Sequence, residues 1–217
     1  MSNMSNMDER MTMRQILLAT GNPGKAKEMR EILAGADEGL VQWRYLSEFA
    51  AAGWPEPVED GDTFMANAQL KARHYARLSG LWTMADDSGL VVDALNGEPG
   101  VRSARYAGEP KSDAANNALL IRKLAGVSRG RRTARFCCAV VLSDGDRVLA
   151  SAEGAVEGTI VDEPRGSNGF GYDPHFFVFA HNMTTAQMSS DMKHAISHRG
   201  QALRKLREKL TAILTAP

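Results

Sequence analysis

Cysteine is scarce in this chain. There are two in 217 residues, Cys137 and Cys138, and they are neighbours within the apolar run 136–142. Adjacent cysteines in such a run read as two buried thiols of a strand. That excludes a disulfide framework and points to a reducing, cytoplasmic compartment. Long apolar runs are missing too, and no stretch approaches the roughly 20 residues of a membrane-spanning helix. Net charge is absent, with 26 Lys and Arg against 26 Asp and Glu. No global field therefore favours nucleic acid or a membrane surface, and an anionic ligand must be held by locally placed cations and backbone amides. Internal repeats, low-complexity segments and interdomain linkers are also lacking. The polar start, Met1 to Met11, has no signal-peptide core. Five methionines precede Arg14, which leaves the start codon open. Residues 1–13 are expected to be a disordered leader and 14–217 a single domain.

What is present suits a globular protein with a substantial core: 43% of residues are hydrophobic and 24% charged. The apolar run Gln15 to Ala19 stops at Thr20-Gly21-Asn22-Pro23-Gly24-Lys25. A helical pattern follows, with Met29, Ile32 and Leu33 on one face and Lys25, Lys27 and Glu28 on the other. Strand, Gly-rich turn and helix is a geometry in which backbone N–H groups and a helix N-terminus receive phosphate. A structural βα turn is an equal reading, although Lys25 favours an anion. The segment is neither a Walker A loop nor a dinucleotide fingerprint. Val41 to Tyr45 alternates like a strand, and Pro55 to Gly61 forms a rigid acidic loop. A helix is expected from Asp62 or Thr63 to about Ser79, with Gly80 as its stop and Phe64, Ala68, Ala72, Tyr75 and Ala76 as its apolar stripe. Asn67, Lys71 and His74 share its polar face, where solvation alone accounts for them.

The segment Ala85-Asp86-Asp87-Ser88-Gly89-Leu90 is the centre of interest. A strand delivering Asp86 and Asp87 to a turn would place two acids at a strand's carboxyl end, where α/β folds keep their clefts. Adjacent carboxylates invite a cation, and oxygen-only ligation suits Mg²⁺. By itself the stretch reads first as an ordinary turn. Further on, Ser112 or Asp113 caps a helix that buries Leu120, Ile121 and Leu124. Arg129, Arg131, Arg132 and Arg135 form a basic loop cluster, solvated or loosely phosphate-attracting. Thr133 to Leu142 and Arg147 to Val161 form a hairpin about Ser143-Asp144-Gly145-Asp146. Phe170 and Tyr172, with Phe176 nearby, either form a stacking platform for a base or close the core beneath a glycine-rich loop. His198 and Arg199 begin a final helix that buries Leu203, Leu206, Leu210 and Ile213. Cations are disfavoured at a helix start unless partnered, which argues for ligand contact. Alternating strands and helices with an inserted antiparallel hairpin give an α/β fold with a mixed sheet.

Six blocks occur in order: Thr20 to Lys25; Glu59-Asp60-Gly61-Asp62-Thr63-Phe64 with Asn67 and Lys71; Ala85 to Leu90; Pro99 to Tyr106; Gly169-Phe170-Gly171-Tyr172-Asp173-Pro174; and Ile196 to Gly200. Together the chain closely resembles the dITP/XTP pyrophosphatase family, the inosine-triphosphatase-like enzymes that cleanse nucleotide pools. The resemblance spans about Ile16 to Leu214. It implies a two-lobed α/β fold with a long mixed sheet and a nucleotide cleft, a homodimer, and Mg²⁺-dependent hydrolysis of dITP, ITP and XTP to monophosphate and pyrophosphate. By position, the loop from Thr20 to Lys25 matches the triphosphate loop. Asp87 matches the general base, with Asp86 and Glu59 as acids available to the metal. Ser88 and Lys193 match substrate contacts, Phe170, Gly171, Tyr172 and Asp173 the base-binding loop, and His198 and Arg199 the base-recognition pair. Val58 stands where many members carry the first of two consecutive acids, so either Glu59 or Asp60 substitutes or the metal relies more on Asp86 and Asp87.

The chemistry agrees with these expectations. Lys25, Lys71, backbone amides and a metal ion would neutralise triphosphate charge, and a carboxylate would aim and deprotonate a water. Donors from His198 or Arg199 would favour a C6 keto base over adenine. Two other readings stay open: a nucleotide-binding regulator without turnover, and a pyrophosphatase for another modified nucleotide.

Overall fold

In the computed structural model the described residues are 13–35 and 39–216. The expected leader, apart from Met13, lies outside them. The apolar run after Met13 forms β1 (Arg14–Leu18), which lies parallel to β2 (Val41–Tyr45) on one side and to β3 (Trp82–Val92) on the other. Beyond β3 every neighbour is antiparallel: β4 (Thr133–Ser143), β5 (Val148–Ile160), β6 (Phe176–Val178) and β7 (Met183–Thr184). Among the described residues this makes one seven-stranded mixed sheet, ordered β2-β1-β3-β4-β5-β6-β7. The α/β reading and the hairpin are borne out.

Local chemistry sets the helices. Asn22 caps α1 (Pro23–Leu33), its side chain accepting from the Lys25 amide, with Pro23 in the first turn where a missing N–H costs nothing. Thr63 caps α2 (Phe64–Ser79), and Gly80 ends it in the left-handed conformation at φ 69°. Ser112 caps α3 (Asp113–Lys123), Ser189 caps α4 (Ser190–Ile196), and Ser197 caps α5 (His198–Thr215). Among the described residues no helix is long and apolar enough to cross a membrane.

The period of two along β3 divides the protein. Met84 faces a core built with Ile16, Leu18, Met29, Cys138, Leu203, Leu206 and Leu210, beneath α1 and α5. Ala85 faces the other side, with Leu17, Ala19, Ala68, Ala72 and Tyr75 beneath α2. A further cluster, Leu90, Val92, Leu120, Leu124, Phe136, Tyr172 and Phe176, fills the far end of the strand under α3. Truncating one of the buried α5 leucines to Ala costs about 2–5 kcal/mol in transfer and cavity terms. Ile121, Ile213 and Phe64, expected in the core, are only partly buried.

Two expectations are corrected here. Asp86 and Asp87 do not end a strand or begin a turn; they lie mid-strand in β3, paired with Val140 and Ala139 of β4. They nevertheless lie beyond the last residue of β1, which leaves the ladder after the Ala19 amide donates to the Met84 carbonyl. The departing 20–22 loop therefore passes beside them. Of the Arg cluster, Arg129 and Arg131 are exposed as expected, and the other two are engaged. Arg132 is buried, donating to the Val127 carbonyl and pairing with Asp162, while Arg135 pairs with Asp93 and Glu157.

Candidate active site

Successive side chains of a strand point to opposite faces, so Asp86 and Asp87 enter different surroundings. Asp87 faces α2. Asn67, expected to be solvated, is buried there and donates to Asp87 Oδ2 at 3.1 Å, while its own Oδ1 accepts from the Gly61 amide at 2.8 Å. One turn on, Lys71 Nζ lies 3.4 Å from Asp87 Oδ1 and 3.2 Å from Glu59 Oε2. Arg105 donates to the Glu59 carbonyl and tethers that loop. His74, the third residue of this face, turns away to the Pro55 carbonyl and the Tyr75 ring. The spacing of Asn67 and Lys71 thus serves Asp87 and not solvent. Burial lifts the Asp87 carboxyl above the usual aspartate value, against the partial opposition of Lys71 and Lys25.

Asp86 faces α5 and is fully buried. Its Oδ2 lies 3.3 Å from Lys25 Nζ and 3.3 Å from Arg199 Nη2, and it accepts from Ser88 Oγ at 3.2 Å. Its Oδ1 has no hydrogen-bond partner among the described residues. Burial by itself would raise this carboxyl, but Lys25, Arg199 and Lys71 outweigh it and hold Asp86 well below the usual range. Lys25 also approaches Asp87 Oδ1 at 3.9 Å, so one ammonium from the loop helix serves both acids.

Around Arg199 a buried ionic network forms. Glu28, expected on the solvated face of α1, is buried and pairs with both Lys193, at 2.7 Å, and Arg199. Lys193 pairs in turn with Asp173, whose Oδ2 accepts from the Phe170 amide and whose Oδ1 accepts from Thr185. The Phe170 ring lies 5.2 Å from Lys193 Nζ and 5.8 Å from Arg199 Cζ, and it rests on Gly24, where a Cβ would fall 2.6 Å from Phe170 Cδ1. The aromatic question therefore divides. Phe170 faces the cavity, Phe176 belongs wholly to the core, and Tyr172 is buried with its hydroxyl donating to the Ser103 carbonyl. His198 stacks on Phe136 with centroids 4.9 Å apart. Its burial, reinforced by Arg199 and Lys193, lowers its pKa far enough to leave a neutral imidazole.

Two adjoining cavities connect these groups. One, of about 310 Å³, is lined by Thr20 to Pro23, Lys25, Glu59, Lys71, Asp87 and Arg105. The other, of about 140 Å³, is lined by Ser88, Phe136, Phe170 to Asp173, Lys193, His198 and Arg199. Asn22, Lys25, Ser88, Ala104 and Lys111 line both. A larger concavity of about 670 Å³ shares the 20–23 loop but holds neither aspartate and neither Lys25 nor Lys71. Asp87, Lys25 and Lys71 belong to the smaller pair.

A charged chamber beside an aromatic one, both opening on a helix-capped loop, is the arrangement that the resemblance leads one to expect. The Ham1 family model matches residues 16–209. The chain belongs to the Ham1 family. It is 48% identical over 206 residues to a dITP/XTP pyrophosphatase of Lactobacillus acidophilus, covering 92% of this chain and 98% of that protein. To the dITP/XTP pyrophosphatase of Xylella fastidiosa it is 49% identical over 200 residues, covering 91% and 98%. A HAM1 protein from Coxiella burnetii superposes with a TM-score of 0.80 at 42% identity, covering 92% of this chain and 99% of that one.

Within this Ham1 chain the structure brings most of the expected site residues to the two cavities. Asn22 spends its Oδ1 on capping α1, and Gly24 lies beneath Phe170. Sequence reading missed Glu28, Arg105 and Lys111. The signal for Glu28 was its place one turn after Lys25, but its partners are 165 and 171 residues away.

Proposed function

We propose that the chain hydrolyses dITP, ITP and XTP to the monophosphate and pyrophosphate, a hydrolase reaction on a phosphoric anhydride. The observation that carries this reading is the junction of the cavities: a triphosphate on the 20–25 loop would reach Asp87 while its base enters the chamber of Phe170, His198 and Arg199. Asp87 acts as general base. Asn67 fixes one of its oxygens, and the other faces Lys71 and the cavity, where it can orient and deprotonate a water. Lys25 and Lys71 draw in the phosphates, aided by amides at the start of α1. The neutral imidazole of His198 and the guanidinium of Arg199 offer donors to a C6 keto oxygen, a match that adenine lacks.

Among the described residues no three His, Cys, Asp or Glu side chains converge on one point. That fits magnesium held by one or two carboxylates and completed by water and phosphate oxygens. Glu59, a hard oxygen donor facing the same cavity, would hold it, while the free oxygen of Asp87, expected among the metal acids, is kept for the water. When bound, it would supply charge neutralisation at the phosphates. We assign Asp86 a different part, as counter-ion to Lys25 and Arg199, because its Oδ2 is engaged by both. A homodimer and a cytoplasmic location complete the proposal. The decisive experiment is pyrophosphate release with Mg²⁺ from ITP, XTP, dUTP and the four standard triphosphates. Preference for ITP and XTP by orders of magnitude in kcat/KM is expected. Equal turnover of GTP and ITP, or none at all, would overturn the proposal.

A further inference from the structure

The base chamber has a wall whose support comes from α3. Gly171 sits in the left-handed region at φ 62°, between Phe170 and Tyr172. Both of its backbone polar groups are taken by one helix. Its amide donates to Asp113 Oδ2 at 2.7 Å, and its carbonyl accepts from Asn117 Nδ2 at 2.9 Å. The needs of α3 explain these residues only in part: Asp113 places a favourable acid in the first turn, yet nothing in the helix calls for its bond to Gly171. Ser112 already caps the helix, accepting from the Ala115 amide. Asn117 is a poor mid-helix residue; its Nδ2 also donates to the Asp113 carbonyl at 2.9 Å, and its buried Oδ1 has no hydrogen-bond partner among the described residues, a costly state that calls for compensation. The same helix holds the opposite rim, since Asn116 donates to the Ser103 and Ala104 carbonyls and accepts from the Ala107 amide.

We infer that Asp113 and Asn117 are positioning residues for purine recognition: they clamp Gly171 and thereby fix the wall against which the base is read. The inference rests on the nucleotide reading above and deepens it. A wall whose own donor and acceptor are already satisfied offers no alternative hydrogen bonds to a base. It can therefore select by shape while His198 and Arg199 select by polarity. Loosening it should weaken base binding and blur the choice between hypoxanthine and guanine, while leaving the chemistry at Asp87 alone.

The test uses the full chain and measures two things: affinity for IMP and GMP by titration calorimetry, and kcat and KM for ITP and GTP. Asn117→Ala and Asp113→Ala should each weaken IMP binding and raise the ITP KM by about three- to tenfold, the worth of one hydrogen bond. In both, kcat should stay within about twofold and the preference for IMP over GMP should shrink. Asp113→Asn keeps an acceptor for the Gly171 amide and should behave like wild type. If it instead behaves like Asp113→Ala, negative charge in the first turn of α3 is what matters and the clamp is refuted. Should Asn117→Ala fail to fold, the Asp113 pair alone decides. Wild-type turnover of ITP with unchanged IMP affinity in the alanine variants would sink the clamp only. A wild type that neither binds IMP nor hydrolyses ITP would sink the function with it.

Discussion

Asp86 and Asp87 are neighbours in β3, yet the two faces of that strand treat them in opposite ways. On the α5 face Asp86 is enclosed by Lys25, Arg199 and Ser88, and its proton is held off. On the α2 face Asp87 has an amide on one oxygen and a lysine beside the other, and burial makes its proton harder to lose. A strand thus separates two functions in a single step of the chain: one acid organises cations, and the other remains able to accept a proton. A turn, the first reading of Asp-Asp-Ser-Gly, would have left both acids on one solvated side with similar behaviour.

The most direct way to break the comparison is Asp87→Asn. Turnover should fall by about 10² to 10⁴-fold, the usual worth of a general base, with thermal stability and nucleotide affinity near wild type. Asp86→Asn should do the reverse. Removing one partner from a buried charge cluster costs about 3–5 kcal/mol of folding stability, read by denaturant titration, and turnover per folded molecule should suffer less than in Asp87→Asn. If Asp86→Asn proves the more inactive and the more stable of the two, the division of labour is wrong. Lys71→Met belongs with Asp87, and loss of a cation from the phosphate chamber should lower kcat by about 10²–10³-fold.

The gentlest probe is pH. Asp87 must be ionised to act, and its raised pKa moves the acid limb of kcat/KM above 3.8. Asp86, with a lowered pKa, gives stability that is present above 3.8 and lost only as pH falls below it. Activity should therefore fail in acid before the fold loosens, and coincident transitions would contradict the assignment.

Much of this was legible in the residues. Asn22 and Pro23 mark a capped helix after a strand, and Thr63 and Gly80 bracket α2, because caps and left-handed stops are local chemistry. What stayed hidden depends on contacts across the chain. Gly89 looked like turn material. In the structure it is the residue over which the 100–105 segment passes, where a Cβ would meet Ser103 Oγ at 2.2 Å and the Gly100 carbonyl at 2.6 Å. Glu28 looked solvated because neither Lys193 nor Arg199 is near it in sequence. Composition could not say how three aromatics would divide: Phe170 faces the cavity, Tyr172 lines it from the core, and Phe176 is wholly core. Asp113 and Asn117 resembled an ordinary helix start, since the glycine they hold lies 58 and 54 residues away.

Cys138 lies opposite Ser88 in the ladder, with its sulfur 3.9 Å from Asp86 Oδ2. Burial, and then the charge of Asp86, push its thiol above the usual range. Cys137, one residue earlier on the other face, is only partly enclosed. An alkylating reagent should therefore reach Cys137 before Cys138, slowed at Cys137 by the burial that raises its thiol, and reach Cys138 only when the core beneath α1 and α5 opens. The unequal labelling of two adjacent sulfurs is a built-in clock for the opening of the core that α5 closes, readable by mass spectrometry without altering a single residue.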